Sequence, residues 1–172
     1  GLECETVPDH EDFAHVPSPH GGNYPSCYRR LRLWREDAAE VFGERIVCLD
    51  IDTTPVGPLA SLWDRPEPIV AYADPYYAVR GQVCGSMLML TAGVRPSVWR
   101  DFDPATSPRL AAKKYRGSDQ AWLSHCLWDV PRWSPRDGVY SYRKDILPKR
   151  GKVPSDARLI VHHGAIKPWE VE

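Results

Sequence analysis

Seventeen prolines in 172 residues set the strictest limit on what this chain can build. They gather at 8–25, 55–75, 96–108 and 131–154. Proline fixes φ and has no backbone N–H to donate, so it interrupts helix interiors and central strands alike. Regular structure must therefore come in short pieces joined by long loops. The length suits one domain and is enough to bury a core.

Hydrophobic spacing predicts where those pieces lie. Residues 1–7 alternate weakly and read as one strand, whereas 8–25, with four Pro and the pair Gly21-Gly22, read as loop. Ser26 is placed to cap a helix through Phe42, with Tyr28, Leu31, Trp34, Ala38 and Val41 on one face and Gly43 at its end. Residues 44–52 (ERIVCLDID) read as a buried strand ending in acids, 58–64 as a short helix, and 68–73 and 84–92 as strands. Pro96 opens a helix over 96–103, 108–115 is helical, and Ser118 caps a helix over DQAWLSHCLW. GVYSY at 138–142 and RLIVHHG at 158–164 complete the set of strands. Strands alternating with helices predict an α/β class with a mixed sheet, in a single domain over 1–172.

Charge and hydropathy exclude some functions. Net charge is −1 and the 22 basic residues are scattered, so there is no basic face of the kind nucleic-acid binding needs. No apolar run approaches the roughly 20 residues that cross a bilayer, and no signal segment opens the chain. The five cysteines are far apart and mostly inside apolar runs, which predicts reduced, buried thiols in a cytoplasmic protein. Seven Trp is high for this length; most should be core, and the remainder suit the faces of sugars.

The sharpest local signal is the segment Ile46–Thr53, IVCLDIDT. On a strand, Asp50 and Asp52 would share one face ~6–7 Å apart, near enough to share a divalent cation or its waters. Carboxylate oxygens suit Mg²⁺ or Mn²⁺, and ligands of open α/β sheets bind at the carboxyl ends of strands. The competing readings are a solvated, capped turn and a phosphohydrolase. Asp50-x-Asp52-x-Thr54 resembles the first motif of haloacid-dehalogenase-type enzymes, with Asp50 as nucleophile, but the later strands carry no second acidic pair.

Three further segments join this one: Cys84-Gly85-Ser86-Met87, Gly117-Ser118-Asp119-Gln120-Ala121-Trp122 and His163-Gly164-Ala165-Ile166-Lys167-Pro168-Trp169. Together they make the chain resemble family 8-like GT-A glycosyltransferases, such as glycogenin and bacterial galactosyltransferases. The likeness is closer still to short glycosyltransferase-like proteins of phages and bacteria, and it runs from about Tyr28 to Trp169. It implies a Rossmann-like mixed sheet flanked by helices, in the cytoplasm of a bacterium or a phage-infected host. The implied activity is transfer of a sugar, with retention, from a nucleotide-sugar donor, foremost a UDP-sugar. The acceptor is not readable.

The resemblance also implies roles. Asp50, Asp52 and a His near the C-terminus would hold Mn²⁺ or Mg²⁺. His163 is the first choice and His162 the alternative, since strand alternation sends the two to opposite faces. Asp50 also lies on the donor side, Lys167 reaches the diphosphate, Gly164 lets backbone approach phosphate, and Pro168 stiffens the loop. Asp119 and Gln120 would meet the transferred sugar's hydroxyls near its anomeric carbon, although Asp119 also suits the dipole of a helix N-terminus. Arg30, in Tyr28-Arg29-Arg30-Leu31, would reach donor phosphate or sugar, or stand as a solvated helical cation. Gly85 and Ser86 would form the small turn beside the sugar.

Two departures stand out: Val161 where glycogenin-like enzymes place the metal His, and Cys84 where an Asn often precedes the small turn. Only residues 1–25 precede the first helix, fewer than the about 30 of a βαβ unit. The expectation is a shortened nucleotide-binding part, which also suits a non-catalytic relative that binds sugar or protein.

Overall fold

The structure, a computed structural model, describes residues 6–7, 10–19, 26–164 and 166–170. The strand read over 1–7 falls mostly outside them, and Thr6 and Val7 belong to no strand. Along the described chain the strands are β1 (Arg45–Leu49), β2 (Thr53–Pro55), β3 (Ile69–Ala73), β4 (Val83–Thr91), β5 (Arg132–Trp133), β6 (Val139–Ser141) and β7 (Leu159–Val161). The α-helices are α1 (Ala38–Phe42), α2 (Ala60–Trp63), α3 (Ser97–Arg100), α4 (Ser107–Ala112) and α5 (Asp119–Cys126). All are short, as the prolines require. One sheet has the order β1-β4-β3-β5 and the other β2-β7-β6. β3 is antiparallel to β4 and parallel to β5, while β7 is antiparallel to β2 and parallel to β6, so both sheets are mixed. No helix among the described residues is long and apolar enough to cross a membrane.

The chain forms two compact units, 1–46 with 91–126, and 47–90 with 127–172. In the first unit, the helix expected from Ser26 to Phe42 is two elements. Ser26 starts the first, its Oγ accepting from the Tyr28 amide at 3.3 Å. That element, Cys27–Trp34, is a 3₁₀ helix. At about three residues per turn, Tyr28, Leu31 and Trp34 line one edge, and all three are buried. Arg35 then leaves helical conformation (φ −67°, ψ 154°), and its guanidinium grips Asp37 through bonds of 2.9 and 2.8 Å. The apolar face does not continue across this break: Ala38 is buried but Val41 is 40% exposed. Phe102 packs on Phe13, Tyr28 and Trp122 with ring centroids at 4.7, 5.0 and 5.5 Å. The Trp122 indole donates to the Val98 carbonyl at 2.8 Å, tying α5 to α3.

In the second unit, β3 and most of β4 are buried on both faces, which is why both read as continuous apolar runs. Their core includes Leu62, Tyr72, Met87, Trp133, Leu159 and Val161. β2 and β5, with three and two residues, carry no pattern that the sequence reading could find. β6 leads directly into a π-helical turn, Tyr142–Ile146. Ser141 fastens that turn: its Oγ accepts from the Lys144 amide (3.2 Å) and its own amide donates to Asp145 Oδ2 (2.8 Å).

Gly138 turns the chain into β6 with φ +82°, and a Cβ there would lie 2.6 Å from the Asp156 carbonyl oxygen. Gly138→Ala is therefore expected to cost more than about 1 kcal/mol. The measurement is a lower urea midpoint at unchanged slope; an unchanged midpoint would show that the turn can relax.

Candidate functional site

The strand expected over 44–52 stops at Leu49, so Asp50 and Asp52 lie in the turn between β1 and β2 and not on a strand face. The physical reason is topological: β1 belongs to one sheet and β2 to the other, so the chain must turn here. The Asp50 amide donates to the Ser86 carbonyl (3.0 Å), the His162 amide donates to the Asp52 carbonyl (3.0 Å), and Thr53 Oγ1 donates to the Asp50 carbonyl (2.9 Å). Ile51 sits at the tip, 89% exposed. Backbone bonds, not side-chain alternation, thus bring the acidic turn, the Gly85-Ser86 segment and the His pair together.

The C-terminal loop closes on the same turn. Lys167 Nζ donates to Asp52 Oδ2 at 2.6 Å, with side chains 32% and 15% exposed. Gly164 holds a left-handed φ of +75°. His162 is 5% exposed, stacks on Tyr142 at 4.7 Å and has Nε2 3.3 Å from Thr54 Oγ1. His163 stacks on Tyr72 (6.1 Å), meets Tyr76 edge-on (6.4 Å) and places Nδ1 3.8 Å from Cys84 Sγ. The two imidazoles face different neighbours, as their alternation suggested. Burial lowers the pKa of both. For His163 the negative charges of Asp74, Asp52 and Asp50 oppose that shift without overcoming it. The same burial pushes the Cys84 thiol up to about 12, so it is neutral and inert, donating to Ser86 Oγ at 3.3 Å.

Neutral imidazole is the form that offers a lone pair to a cation. His162 Nδ1 and His163 Nε2 are buried without a hydrogen-bond partner among the described residues. With two carboxylates nearby, the donor types fit a hard divalent cation. In this arrangement Lys167 holds Asp52, and no three His, Cys, Asp or Glu side chains among the described residues are gathered to hold a metal.

A second set lies in the first unit. Arg30 Nη1 donates to Asp119 Oδ2 at 2.9 Å, both side chains being largely buried, and Ser118 Oγ donates to Asp119 Oδ1 at 3.2 Å. Arg30 is therefore not a solvated helical cation. Asp119 opens α5, and Gln120 donates to the Arg116 carbonyl at 3.2 Å. Gln120 folds over Gly117, whose φ of +91° disfavours any side chain; a Cβ there would meet Gln120 Cγ at 2.5 Å, so the Gln120 side chain would have to shift. Burial, and then the charge of Asp119, raises the pKa of the Tyr28 phenol.

The sequence reading missed the aromatic walls around the histidines, Tyr72, Tyr76 and Tyr142, and the acid that shapes one of them. Asp74 accepts from the amides of Tyr76 (2.8 Å) and Tyr77 (2.9 Å) and from Gln82 Nε2 (3.1 Å). Its signal was the Asp-Pro pair at the end of a strand, an aspartate-nucleated turn.

No family model and no curated protein matches the chain. Among solved structures it is similar to the galactosyltransferase LgtC in complex with donor and acceptor sugar analogs: TM-score 0.59, 20% identity, 92% of this chain and 66% of that one. An active-site mutant of LgtC gives a TM-score of 0.58 at 19% identity, again over 92% of this chain and 66% of that one. The apo structure of the bifunctional glycosyltransferase WbbM gives 0.52 at 15% identity, over 87% of this chain and 33% of that one. The chain thus has the GT-A glycosyltransferase fold and spans just under two thirds of the LgtC chain's length (66%).

Asp52 and Lys167 are partly exposed, and such a pair contributes about 1 kcal/mol or less. Asp52→Ala is therefore expected to stay folded with a nearly unchanged melting temperature. A large drop would make the acid a structural element.

Proposed function

We propose that the chain is a glycosyltransferase that moves a sugar, with retention, from a nucleotide-diphosphate-sugar, foremost a UDP-sugar, to an acceptor. The observation that carries this reading is the 2.6 Å pair of Lys167 and Asp52, which joins the C-terminal loop to the acidic turn across 115 residues of sequence. Hydrophobic packing alone does not demand that meeting of opposite charges. Support comes from the fold, shared with a galactosyltransferase whose solved structure holds donor and acceptor sugar analogs.

A departing nucleoside diphosphate carries growing negative charge, and catalysis requires groups that stabilise it. Lys167 supplies an ammonium to the diphosphate, and Gly164 admits the phosphates close to backbone. Asp50, Asp52 and His163 are the donors that would hold Mn²⁺ or Mg²⁺, whose chemistry when bound is charge neutralisation at the diphosphate. Gly85 and Ser86 flank the transferred sugar. Asp119 and Gln120 are assigned to its hydroxyls, and Arg30 fixes the orientation of the Asp119 carboxylate through their 2.9 Å bond.

Lys167 and a divalent cation compete for Asp52. A diphosphate relieves that competition by drawing the ammonium onto itself. Mn²⁺ is therefore expected to bind weakly alone and about tenfold or more tighter with uridine diphosphate, read by calorimetry. Lys167→Ala should strengthen Mn²⁺ binding alone and weaken uridine diphosphate binding. Identical Mn²⁺ titrations with and without the nucleotide would remove the donor-site reading.

A further inference from the structure

The π turn after β6 lies outside the proposed donor site, yet it borders the C-terminal loop at Gly164. A π-helical turn is rare and is built on a wider hydrogen-bonded ring than an α-turn. Here it is pinned at both ends: Ser141 binds the Lys144 amide and Asp145, and the Leu147 amide donates to the Tyr142 carbonyl. The turn aims three successive side chains in different directions. Tyr142 stacks on His162 at 4.7 Å. Lys144 is committed, its Nζ on the Pro75 carbonyl and 5.9 Å from the Tyr76 ring centroid. Arg143 lies beside Gly164: a Cβ built on that glycine would be 3.5 Å from Arg143 Nη1.

Arg143 is exposed, and no carboxylate among the described residues pairs with it. Lys167, three residues past Gly164, is held by Asp52. The C-terminal loop thus carries an ammonium paired with Asp52 and, beside its Gly164, a guanidinium that no carboxylate among the described residues pairs with. A guanidinium presents paired N–H donors that match two oxygens of one phosphate, which a lysine does not. Gly164 is left-handed and has no side chain, so nothing on it shields an anion from Arg143.

We propose that Arg143 is a diphosphate-binding residue, acting beside Lys167 whether or not a divalent cation is bound. The inference rests on the donor-site reading of Gly164 and Lys167 and adds a residue that no motif marks.

The test uses the whole chain and inorganic pyrophosphate, titrated by calorimetry with a chelator and, separately, with Mn²⁺. Arg143→Ala is expected to weaken pyrophosphate binding about tenfold under both conditions, the scale of one charged hydrogen bond. Arg143→Lys should recover part of the loss, and Lys144→Ala should change nothing. Arg143→Gln, closer in shape, guards against a folding defect, with circular dichroism as the check. Undiminished pyrophosphate affinity in folded Arg143→Ala and Arg143→Gln would overturn the proposal. If Lys167→Ala then still lost binding, the donor-site reading would survive it. If the unaltered chain bound neither pyrophosphate nor uridine diphosphate under either condition, both would fall.

Discussion

Two backbone hydrogen bonds hold the acidic turn, and most of the candidate site follows from them. The Asp50 amide is fixed to β4 through the Ser86 carbonyl, and the Asp52 carbonyl is fixed to the end of β7 through the His162 amide. Each strand belongs to a different sheet, so the turn is clamped where the chain changes from one to the other. Side chains on a turn held at both ends inherit the positional precision of the sheets, which a free loop does not offer. The clamp also explains why Ile51 tolerates 89% exposure: the backbone path is set by its neighbours, leaving that side chain no apolar surface to reach.

Burial decides the chemistry of the corner behind this turn. For His163 the desolvation of its charged form outweighs the pull of three aspartates, so the ring is held neutral. Desolvation acts on Cys84 in the opposite sense for reactivity, keeping its proton on. One physical cause thus makes the imidazole an available donor and the adjacent thiol inert. The ring of Tyr72, stacked on His163, adds no charge to this corner, because burial also raises the pKa of its phenol.

Strands buried on both faces were legible because apolar runs such as 68–73 and 84–92 are short for buried helices and are bounded by turn residues. The helix expected over 26–42 is two elements for a physical reason. Tyr28, Leu31 and Trp34 recur every three residues, a spacing an α-helix tolerates but a 3₁₀ helix matches directly, and the Arg35–Asp37 pair breaks what would follow. Asp50, Asp52 and Lys167 were legible as residue types in order, although the two acids lie on a turn and not on a strand face. The Arg30–Asp119 pair joins two motifs that were read separately. Tyr142 and Arg143 carried no signal, because a π turn has no characteristic period in sequence and its geometry comes from the Ser141 and Asp145 bonds around it.

Charge balance ties these parts together. Asp50 and Asp52 bring two negative charges to the acidic turn, Lys167 of the C-terminal loop and Arg143 of the π turn bring two positive charges, and both histidines are held neutral by burial. That set is self-balanced without a ligand. A diphosphate that takes both cations removes their compensation from the two carboxylates of one short turn, and like charges so placed repel. Relief requires either that the diphosphate leave or that positive charge arrive at the acids. Anion and cation should therefore bind as a linked pair, each removing the penalty the other creates. A single hydrogen-bonded ion pair between Lys167 and Asp52 is enough to set up that linkage, because it makes the ligand-free site its own counter-ion.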